Sequence, residues 1–199
     1  MIAIIDYGMG NLRSVQKAFE YLGMEAVITE DIAVIQKADK IILPGVGAFK
    51  DAMETIRQKE IDKILLETVA QKKPLLGICL GMQMFFEKSY EYGEHKGLGI
   101  LQGEIKRLPE GIKIPHMGWN SLNIKKEFPL FEGLPSEPYV YFVHSYYLQT
   151  EADIVSATTY YGKEIQVAAQ KDKIFALQFH PEKSGEIGLK ILENFGRIA

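Results

Sequence analysis

Residues 2–28 read IAIIDYGMGNLRSVQKAFEYLGMEAVI, and this stretch decides the fold class. Its first four residues are all apolar and predict a short buried strand. Residues 11–22 then carry apolar side chains at helical spacing, with Asn11 in a position suited to cap the helix. A glycine follows, and residues 25–28 predict a second strand. Two strands joined through one helix predict a parallel βαβ unit.

The same alternation of strand and helix continues along the chain. We predict strands at residues 40–43 and 75–79, helices at 49–57 and 61–70, and a final helix at 185–198. Strands separated by helices pair in parallel through right-handed crossovers. We therefore expect a doubly wound α/β fold with a mostly parallel sheet and helices on both faces.

The sequence pattern changes after Gly99, where short strand-like runs are separated by turn residues. The predicted runs are residues 100–101, 105–108, 139–143, 154–159, 167–170 and 174–179. We expect them to form hairpins and an antiparallel region at the edge of the parallel sheet. Neither a repeat nor a linker divides the sequence, so residues 1–199 are predicted to form a single domain.

Composition excludes several classes of protein. Of the 199 residues, 47% are hydrophobic and 25% are charged, which suits a globular domain with a substantial core. The net charge of −3 offers no electrostatic footprint for nucleic acid or for an anionic membrane. The first residues form no basic leader, and no apolar run approaches the ~20 residues that cross a bilayer. One cysteine cannot form an internal disulfide, so we expect a soluble, cytoplasmic protein.

That cysteine lies in GICLG, residues 77–81, which has the form G-x-nucleophile-x-G. In such a turn the nucleophile occupies a tight bend between a strand and a helix, and the flanking glycines leave room around it. The N-terminus of the following helix favours a thiolate at Cys79. A lone cysteine is more often a buried structural residue, and the motif by itself does not separate the two interpretations.

A second candidate element is QFHPE, residues 178–182, which also follows an apolar strand. In an extended segment His180 and Glu182 would face the same side. Glu182 would then hold one imidazole nitrogen while the other faces a thiol, completing a relay of nucleophile, base and orienting carboxylate. A strand-end histidine beside a surface glutamate is the alternative. The turn at Cys79 favours the relay, because open α/β sheets place their sites at the carboxyl edge of the strands.

A third candidate element is PGVGAF, residues 44–49, at the end of another predicted strand. Acyl transfer through a thiolate creates an oxyanion that backbone N–H groups stabilise. The N–H of Leu80 follows the nucleophile directly, and the N–H of Val46 is the best-placed second donor, with Gly45 allowing the peptide to rotate. A plain turn between a strand and a helix is the alternative interpretation.

Two further patterns point away from common ligands. GMGNLR, residues 8–13, begins like a dinucleotide-binding fingerprint, but Arg13 stands where the third glycine belongs, so we predict no nicotinamide dinucleotide site. The four histidines are far apart and lack the spacing of zinc ligands. We expect neither a metal nor a cofactor.

Together, GICLGMQ, PGVGAF and QFHPEKS resemble the motifs of the class I, triad-type glutamine amidotransferases. The resemblance spans the whole chain and implies a flavodoxin-like domain that hydrolyses glutamine to glutamate and ammonia. DYGMGNLRSV near the start, PHMGWN at residues 115–120 and VHSYY at residues 143–147 are similar to the members of this family that serve histidine biosynthesis.

The resemblance implies roles for individual residues. Cys79 is similar to the nucleophile, His180 to the general acid and base, and Glu182 to its orienting partner. The residues that correspond to the oxyanion site are Gly45, Val46 and Leu80. The implied substrate-binding residues are Gly47, Gln83, Glu91, His144, Ser145 and Tyr146. Glu91 is a candidate for binding the α-ammonium group of glutamine, and a solvated charge at a helix end is its alternative interpretation.

The resemblance also implies a partner, a (βα)8-barrel cyclase subunit that receives ammonia through a channel and forms a heterodimer with the glutaminase. The implied interface residues are Asn11, Trp119, Asn120 and Lys183. A single tryptophan usually belongs to the core. PHMGWN, however, reads as a loop, and exposed tryptophan is favoured at interfaces.

Three alternatives stay open at this point. The same glutaminase could feed ammonia to a different sugar- or nucleotide-modifying synthase, because such relatives keep the same motifs. A non-enzymatic flavodoxin-like binding protein could use Cys79 as a redox-sensing thiol, although it would not need His180 and Glu182. An ester or peptide hydrolase is the third alternative, although Gln83 and Glu91 suit an amino acid better.

Overall fold

The computed structural model describes residues 1–199, and a twelve-stranded sheet runs through its centre. The strands are β1 (Ile2–Ile5), β2 (Ala26–Thr29), β3 (Lys40–Gly45), β4 (Leu75–Cys79), β5 (Lys88–Ser89), β6 (His95–Lys96), β7 (Glu104–Arg107), β8 (His116–Ser121), β9 (Asn123–Ile124), β10 (Tyr139–His144), β11 (Tyr146–Gln149), β12 (Val155–Tyr161), β13 (Lys163–Lys171) and β14 (Ile174–Leu177). The α-helices are α1 (Leu12–Tyr21), α2 (Ile32–Lys37), α3 (Phe49–Gln58), α4 (Ile61–Ala70), α5 (Leu80–Gln83) and α6 (Gly185–Arg197). Two 3-10 turns cover Pro129–Phe131 and Pro181–Lys183.

The parallel core of the sheet consists of five strands in the order β2-β1-β3-β4-β14. Three of them, β1, β4 and β14, are buried at every position. Their continuous apolar sequences follow from this position, because both faces of a parallel sheet are covered by helices. The doubly wound α/β sheet predicted from the sequence is confirmed.

Helices cover both faces of this parallel core. On one face α1 and α6 bury Phe19 and Phe195, and on the other α3 and α4 bury Ile56 and Leu65. Apolar side chains recur every three or four residues along these helices, which places them on the side that faces the sheet. None of the helices has the length and the apolar composition that a membrane-spanning helix needs.

An antiparallel region extends the sheet beyond β14. Strand β13 pairs with β14, β12 and β11, and β11 pairs with β7. Seven of the twelve strands lie outside the parallel core, so this region is larger than the edge predicted from the sequence. Strands β8 and β10 form a separate two-stranded sheet in which Trp119 lies opposite Tyr141.

Two local predictions were wrong, and one helix was not predicted. The sequence predicts a loop at PHMGWN, but residues 116–121 form β8, because β10 supplies the hydrogen bonds of a strand from a distant part of the chain. Residues 100–101 form a bend instead of a strand. Helix α2 was not predicted, and Asp31 begins it by accepting the backbone N–H of Ala33 at 2.8 Å.

The carboxyl ends of three neighbouring strands meet at one edge of the sheet. Gly45 at the end of β3 lies opposite Cys79 at the end of β4. Strand β14 pairs with the other side of β4 and leads within three residues to His180. The three segments singled out in the sequence therefore reach the edge at which open α/β sheets hold their sites.

Candidate active site

Cys79 lies at a strained bend between β4 and α5. Its φ of 55° and ψ of −113° fall where a residue with a side chain rarely lies. A Cβ atom at Gly81 would lie 1.8 Å from the carbonyl oxygen of Leu43, and one at Gly77 would lie 2.7 Å from Met82 Cα. The backbone can pass this closely only because both flanking residues are glycines. Helix α5 is a single turn, so its dipole favours a thiolate less than the sequence analysis assumed.

His180 and Glu182 form a buried pair beside this bend. Nδ1 of His180 lies 2.8 Å from Oε1 of Glu182, and the two side chains are only 3% and 1% exposed. The sequence predicts an extended segment here, but the chain leaves extended geometry at Pro181, and the 3-10 turn brings the carboxylate back to the ring. The backbone N–H of His180 donates to the carbonyl oxygen of Tyr141 at 3.0 Å and anchors the segment.

The surroundings of His180 favour its protonated form. Burial acts to lower the pKa of the imidazole, but Cys79 and Glu182 beside it outweigh burial and raise the pKa of His180 to about 9. An imidazolium next to a sulfur is the arrangement in which cysteine nucleophiles react as thiolates. Nε2 of His180 is buried without a hydrogen-bond partner, which leaves this nitrogen available for proton transfer within the site.

Cys79 and His180 open into one cavity of about 360 Å³, a volume within the range of small-ligand sites. Its lining residues are Val46, Gly47, Cys79, Leu80, Gln83, Glu91, Pro115, Val143, His144, Ser145, Tyr146 and His180. All of these except Pro115 and Val143 were singled out in the sequence as site residues. A larger cavity of about 750 Å³, at residues 124–133, shares no residue with this one and contains neither cysteine nor histidine.

The predicted oxyanion residues are neighbours of Cys79. A Cβ atom at Gly45 would lie 2.4 Å from the hydroxyl oxygen of Tyr7, so only glycine fits opposite the nucleophile. Leu80 begins α5, where backbone N–H groups have no partner within the helix. Val46 and Leu80 both line the cavity.

Tyr7 is a neighbour of Cys79 that was not predicted from the sequence. Its side chain is 1% exposed, and its hydroxyl group has no hydrogen-bond partner. Burial first, and then the charge of Cys79, raise the pKa of the Tyr7 hydroxyl above its ordinary value. Tyr7 lies two residues after β1, and the end of that strand was the available signal for its place at this edge.

Glu91 is held at the cavity by the start of α3. Its Oε2 accepts the backbone N–H of Phe49, the first residue of that helix, at 2.6 Å. A helix N-terminus stabilises a carboxylate in this position. Glu91 is half-buried and lines the cavity, which differs from the solvated helix-end charge considered as its alternative.

Two buried glutamines connect the cavity wall with the sulfur atom. Nε2 of Gln83 donates to Oε1 of Gln178 at 3.0 Å and to the carbonyl oxygen of Tyr146 at 3.3 Å. Nε2 of Gln178 lies 3.8 Å from Sγ of Cys79. Gln178 was not among the residues predicted from the sequence, although it stands two residues before His180, a spacing that places both side chains on one side of a strand.

His144 has no ring nitrogen left for a ligand. Its Nδ1 lies 2.8 Å from the carbonyl oxygen of Tyr146, and its Nε2 lies 3.0 Å from Nδ1 of His116. His144 is among the substrate-binding residues that the family resemblance implies. It does line the cavity with Ser145 and Tyr146, but both nitrogens of its imidazole are engaged by the protein itself.

The residues predicted at an interface lie on neighbouring surface elements. Trp119 on β8 is 56% exposed, so the alternative of a core tryptophan is wrong. A Cβ atom at Gly185 would lie 3.9 Å from its indole ring, which places Trp119 beside the start of α6. Lys183 is exposed in the 3-10 turn just before α6, and α1 packs against that turn.

Two asparagines of this predicted interface use their side chains within the chain. Asn11 stands at the N-cap position of α1, but its Oδ1 accepts the hydroxyl of Ser14 at 2.9 Å, so the predicted capping bond to a backbone N–H is absent. Nδ2 of Asn120 lies 3.4 Å from Nε2 of His116 and 3.0 Å from the carbonyl oxygen of Tyr160. The amide of Asn120 is therefore turned inward.

A cysteine at a strand-to-helix bend, a histidine–carboxylate pair and an amino-acid-sized cavity define a class of amidohydrolase, and the family model agrees. The chain belongs to the glutamine amidotransferase class-I family, whose model matches residues 3–199. It is accordingly a glutamine-hydrolysing enzyme.

The chain is similar over nearly its whole length to proteins named imidazole glycerol phosphate synthase subunit HisH. It is 52% identical over 196 residues to the HisH of Oceanobacillus iheyensis, covering 98% of each chain. It is 54% identical over 199 residues to the HisH of Caldanaerobacter subterraneus subsp. tengcongensis, covering 100% of this chain and 98% of that one.

Solved structures share the fold at lower identity. A glutamine amidotransferase crystal structure superposes with a TM-score of 0.77 at 22% identity, covering 98% of this chain and 100% of the other. The structure of PurLQS from Thermotoga maritima gives a TM-score of 0.77 at 20% identity, covering 98% of this chain and 96% of the other. These likenesses concern the fold alone.

Proposed function

We propose that this chain is the glutaminase subunit of an imidazole glycerol phosphate synthase, in which it releases ammonia from glutamine for a second subunit. The HisH relatives support the assignment with 52% and 54% identity over nearly the whole chain. The observation that carries the chemistry is the strained Cys79 next to the buried His180–Glu182 pair, both at one cavity. The chain would act as one domain that spans residues 1–199.

The first half of the proposed reaction forms a thioester. Glutamine binds with its α-ammonium group near the Glu91 carboxylate, and the Cys79 thiolate attacks the carbon of the side-chain amide. The oxygen becomes an oxyanion, which the N–H groups of Leu80 and Val46 stabilise. Nε2 of His180 gives its proton to the amide nitrogen as the carbon–nitrogen bond breaks, and ammonia leaves.

The second half hydrolyses the thioester. Nε2 of His180, now neutral, takes a proton from a water molecule, and the resulting hydroxide attacks the carbonyl carbon. The carbon–sulfur bond breaks, glutamate leaves, and the Cys79 thiolate and the imidazolium are restored. Glu182 keeps the ring oriented throughout through its bond to Nδ1, 2.8 Å long in the structure.

The proposed partner is a (βα)8-barrel cyclase subunit. Ammonia released into water at neutral pH becomes ammonium and loses its nucleophilic lone pair, so a docked acceptor is needed. The cyclase would use the ammonia on a phosphoribosyl-formimino-carboxamide nucleotide to form imidazole glycerol phosphate and an aminoimidazole carboxamide ribotide. We place this histidine-biosynthetic reaction in the cytoplasm.

The proposed docking face is the outer side of the β8–β10 sheet together with the neighbouring turn. Met117, Trp119 and Tyr139 on these strands are 61%, 56% and 50% exposed. Exposed aromatic residues and methionine on adjacent strands have the composition of an interface. Lys183 and Asn11 complete the set that we assign to contact with the partner, and Asn120, whose amide is turned inward, is left out of it.

The test is a reconstituted complex supplied with either nitrogen source. Cys79→Ser should stop synthesis from glutamine and leave synthesis from an ammonium salt intact, because the cyclase chemistry lies in the other subunit. Equal loss with both sources would contradict this division of labour. Stable complex formation with another synthase, and none with the cyclase, would favour the alternative of a different ammonia acceptor.

A further inference from the structure

His116 and His144 form a buried pair that the proposed mechanism does not use. They are 3% and 6% exposed, and Nδ1 of His116 lies 3.0 Å from Nε2 of His144. The ring of His116 is stacked between Tyr161 and Phe142, with ring centres 3.9 and 4.7 Å away. Burying two imidazoles is costly unless their ring nitrogens have hydrogen-bond partners, so the partners of this pair are important for its role.

The neighbours of the pair fix which nitrogens carry hydrogen. The carbonyl oxygen of Tyr146 can only accept, so Nδ1 of His144 must be the donor in their 2.8 Å bond. Burial lowers the pKa of His144 to about 3 and that of His116 to about 4, so both rings are neutral at neutral pH. Nε2 of His144 is then an acceptor, and Nδ1 of His116 donates to it.

The two ends of this pair reach different parts of the molecule. At the outer end, Nε2 of His116 has only a lone pair left, and the amide of Asn120 lies 3.4 Å away on β8. At the inner end, the Tyr146 carbonyl oxygen also accepts from Nε2 of Gln83 at 3.3 Å. From Asn120 through the two rings to the Tyr146 carbonyl oxygen, each donor points toward the cavity wall, and the Gln83 amide donates to the same oxygen from the cavity side.

We propose that His116 and His144 are positioning residues, which hold the Tyr146 carbonyl group and the Gln83 side chain in the geometry that binds glutamine. The inference rests on the proposed function, since it concerns the same pocket. It adds a connection between β8, which carries the proposed docking face, and the wall of the cavity. A neutral histidine can accept on one side and donate on the other, and its flat ring fits the stacked space between Tyr161 and Phe142.

Substitution at His116 separates positioning from packing. His116→Phe keeps a flat ring between Tyr161 and Phe142 but removes the donor, leaving Nε2 of His144 buried and unpaired. We expect KM for glutamine to rise about tenfold with little change in kcat, because a buried unpaired acceptor loosens the wall and not the reacting atoms. His116→Asn places an amide N–H near the position of Nδ1, and KM should return to within about threefold of the original.

Tyr161→Phe is the matched control. It removes a hydrogen bond next to His116, the one from the Tyr161 hydroxyl to the carbonyl oxygen of Lys113 at 2.8 Å, and leaves the histidine chain untouched. Its KM should stay unchanged. The proposal is overturned if Tyr161→Phe raises KM as much as His116→Phe does, if His116→Asn is no better than His116→Phe, or if the loss falls on kcat alone.

A measurement on the unaltered protein covers the case in which His116→Phe does not fold. Nitrogen-15 NMR of the four imidazoles at pH 7 should show His116 and His144 as neutral rings with hydrogen on Nδ1. A ring with hydrogen on Nε2, or a protonated ring, at either position would overturn the proposal. An unaltered complex that does not hydrolyse glutamine would instead contradict the proposed function, and the ring tautomers would still be readable.

Discussion

Cys79 and His180 both occupy positions that cost free energy. A non-glycine residue at a φ of 55° costs on the order of 1–3 kcal/mol, and an imidazolium with a 3% exposed side chain has lost most of its hydration. The packing of Gly81 against Leu43 holds the first residue, and Glu182 compensates the charge of the second. A structural cysteine or a surface histidine would not need either arrangement.

The raised pKa of His180 makes the stability of the fold dependent on pH. In the folded chain it is about 9, above the ordinary value of 6.5, so the folded state binds this proton more tightly than the unfolded state. The stabilisation is fully present below pH 6.5 and is lost as the pH rises through about 9. Between pH 6 and pH 10 it should fall by roughly 3 kcal/mol.

His180→Asn, which cannot titrate, is the reference for this measurement. Urea unfolding of both proteins across the pH range should show the advantage of the unaltered chain shrinking as the solution becomes alkaline. All other titrating groups are common to the two proteins. Parallel pH profiles would show that His180 does not carry the effect.

At the scale of elements, the turn from β4 to α5 depends on how closely β3 passes it. Gly81→Ala would place a methyl group 1.8 Å from the backbone oxygen of Leu43, which no side-chain rearrangement relieves. We expect a loss of at least about 3 kcal/mol in the free energy of unfolding, together with loss of glutaminase activity. Gly99→Ala is the control, since it also adds a methyl group but has open space around it.

Gly99 has a φ of 64°, so its replacement should cost only the conformational strain of about 1–2 kcal/mol. Chemical unfolding of both variants checks the comparison. Equal losses at the two positions would mean that close approach to β3 is not what requires glycine in the turn.

The elements that could be predicted from the sequence are those that carry their own pattern. Helices α1, α3, α4 and α6 repeat apolar residues at helical spacing, and β1 and β4 are short apolar runs bounded by turn residues. Strand β8 has no such pattern, because its hydrogen bonds come from β10 and its outer residues are exposed. Tyr7 and Gln178 were missed for a similar reason, since their closeness to the thiol arises only from packing between distant segments.

At the scale of the whole molecule, the segment that carries His180 and Glu182 leads directly to the proposed docking face. Trp119 lies beside Gly185 at the start of α6, and Lys183 stands two residues before that glycine and directly follows the catalytic candidate Glu182. A partner that covers this face would therefore touch the segment that carries His180. This arrangement fits the proposed transfer of ammonia from the active site to a partner subunit.

Replacing Trp119 tests the docking face. Trp119→Ala should weaken the complex with the proposed cyclase subunit by about 30-fold, which corresponds to the loss of about 2 kcal/mol expected for a central aromatic residue of an interface. Tyr21→Ala is the control, because Tyr21 is 79% exposed at the far end of α1. Calorimetric titration gives the affinities of both variants. Thermal unfolding of each variant without its partner should show little change in stability. Unaltered affinity for the Trp119 variant would remove this surface from the interface.

Strand β14 follows every other strand in the sequence, yet it lies in the interior of the sheet, between β4 and β13. The parallel and antiparallel halves are therefore joined only through the last strand of the sequence, and the residues that follow this strand bring His180 to the active site. A folding intermediate that lacks this strand has two unjoined half-sheets and no base beside its cysteine. Continuity of the sheet and placement of the catalytic base thus depend on the same strand, and a chain in which β14 is not paired would lack both.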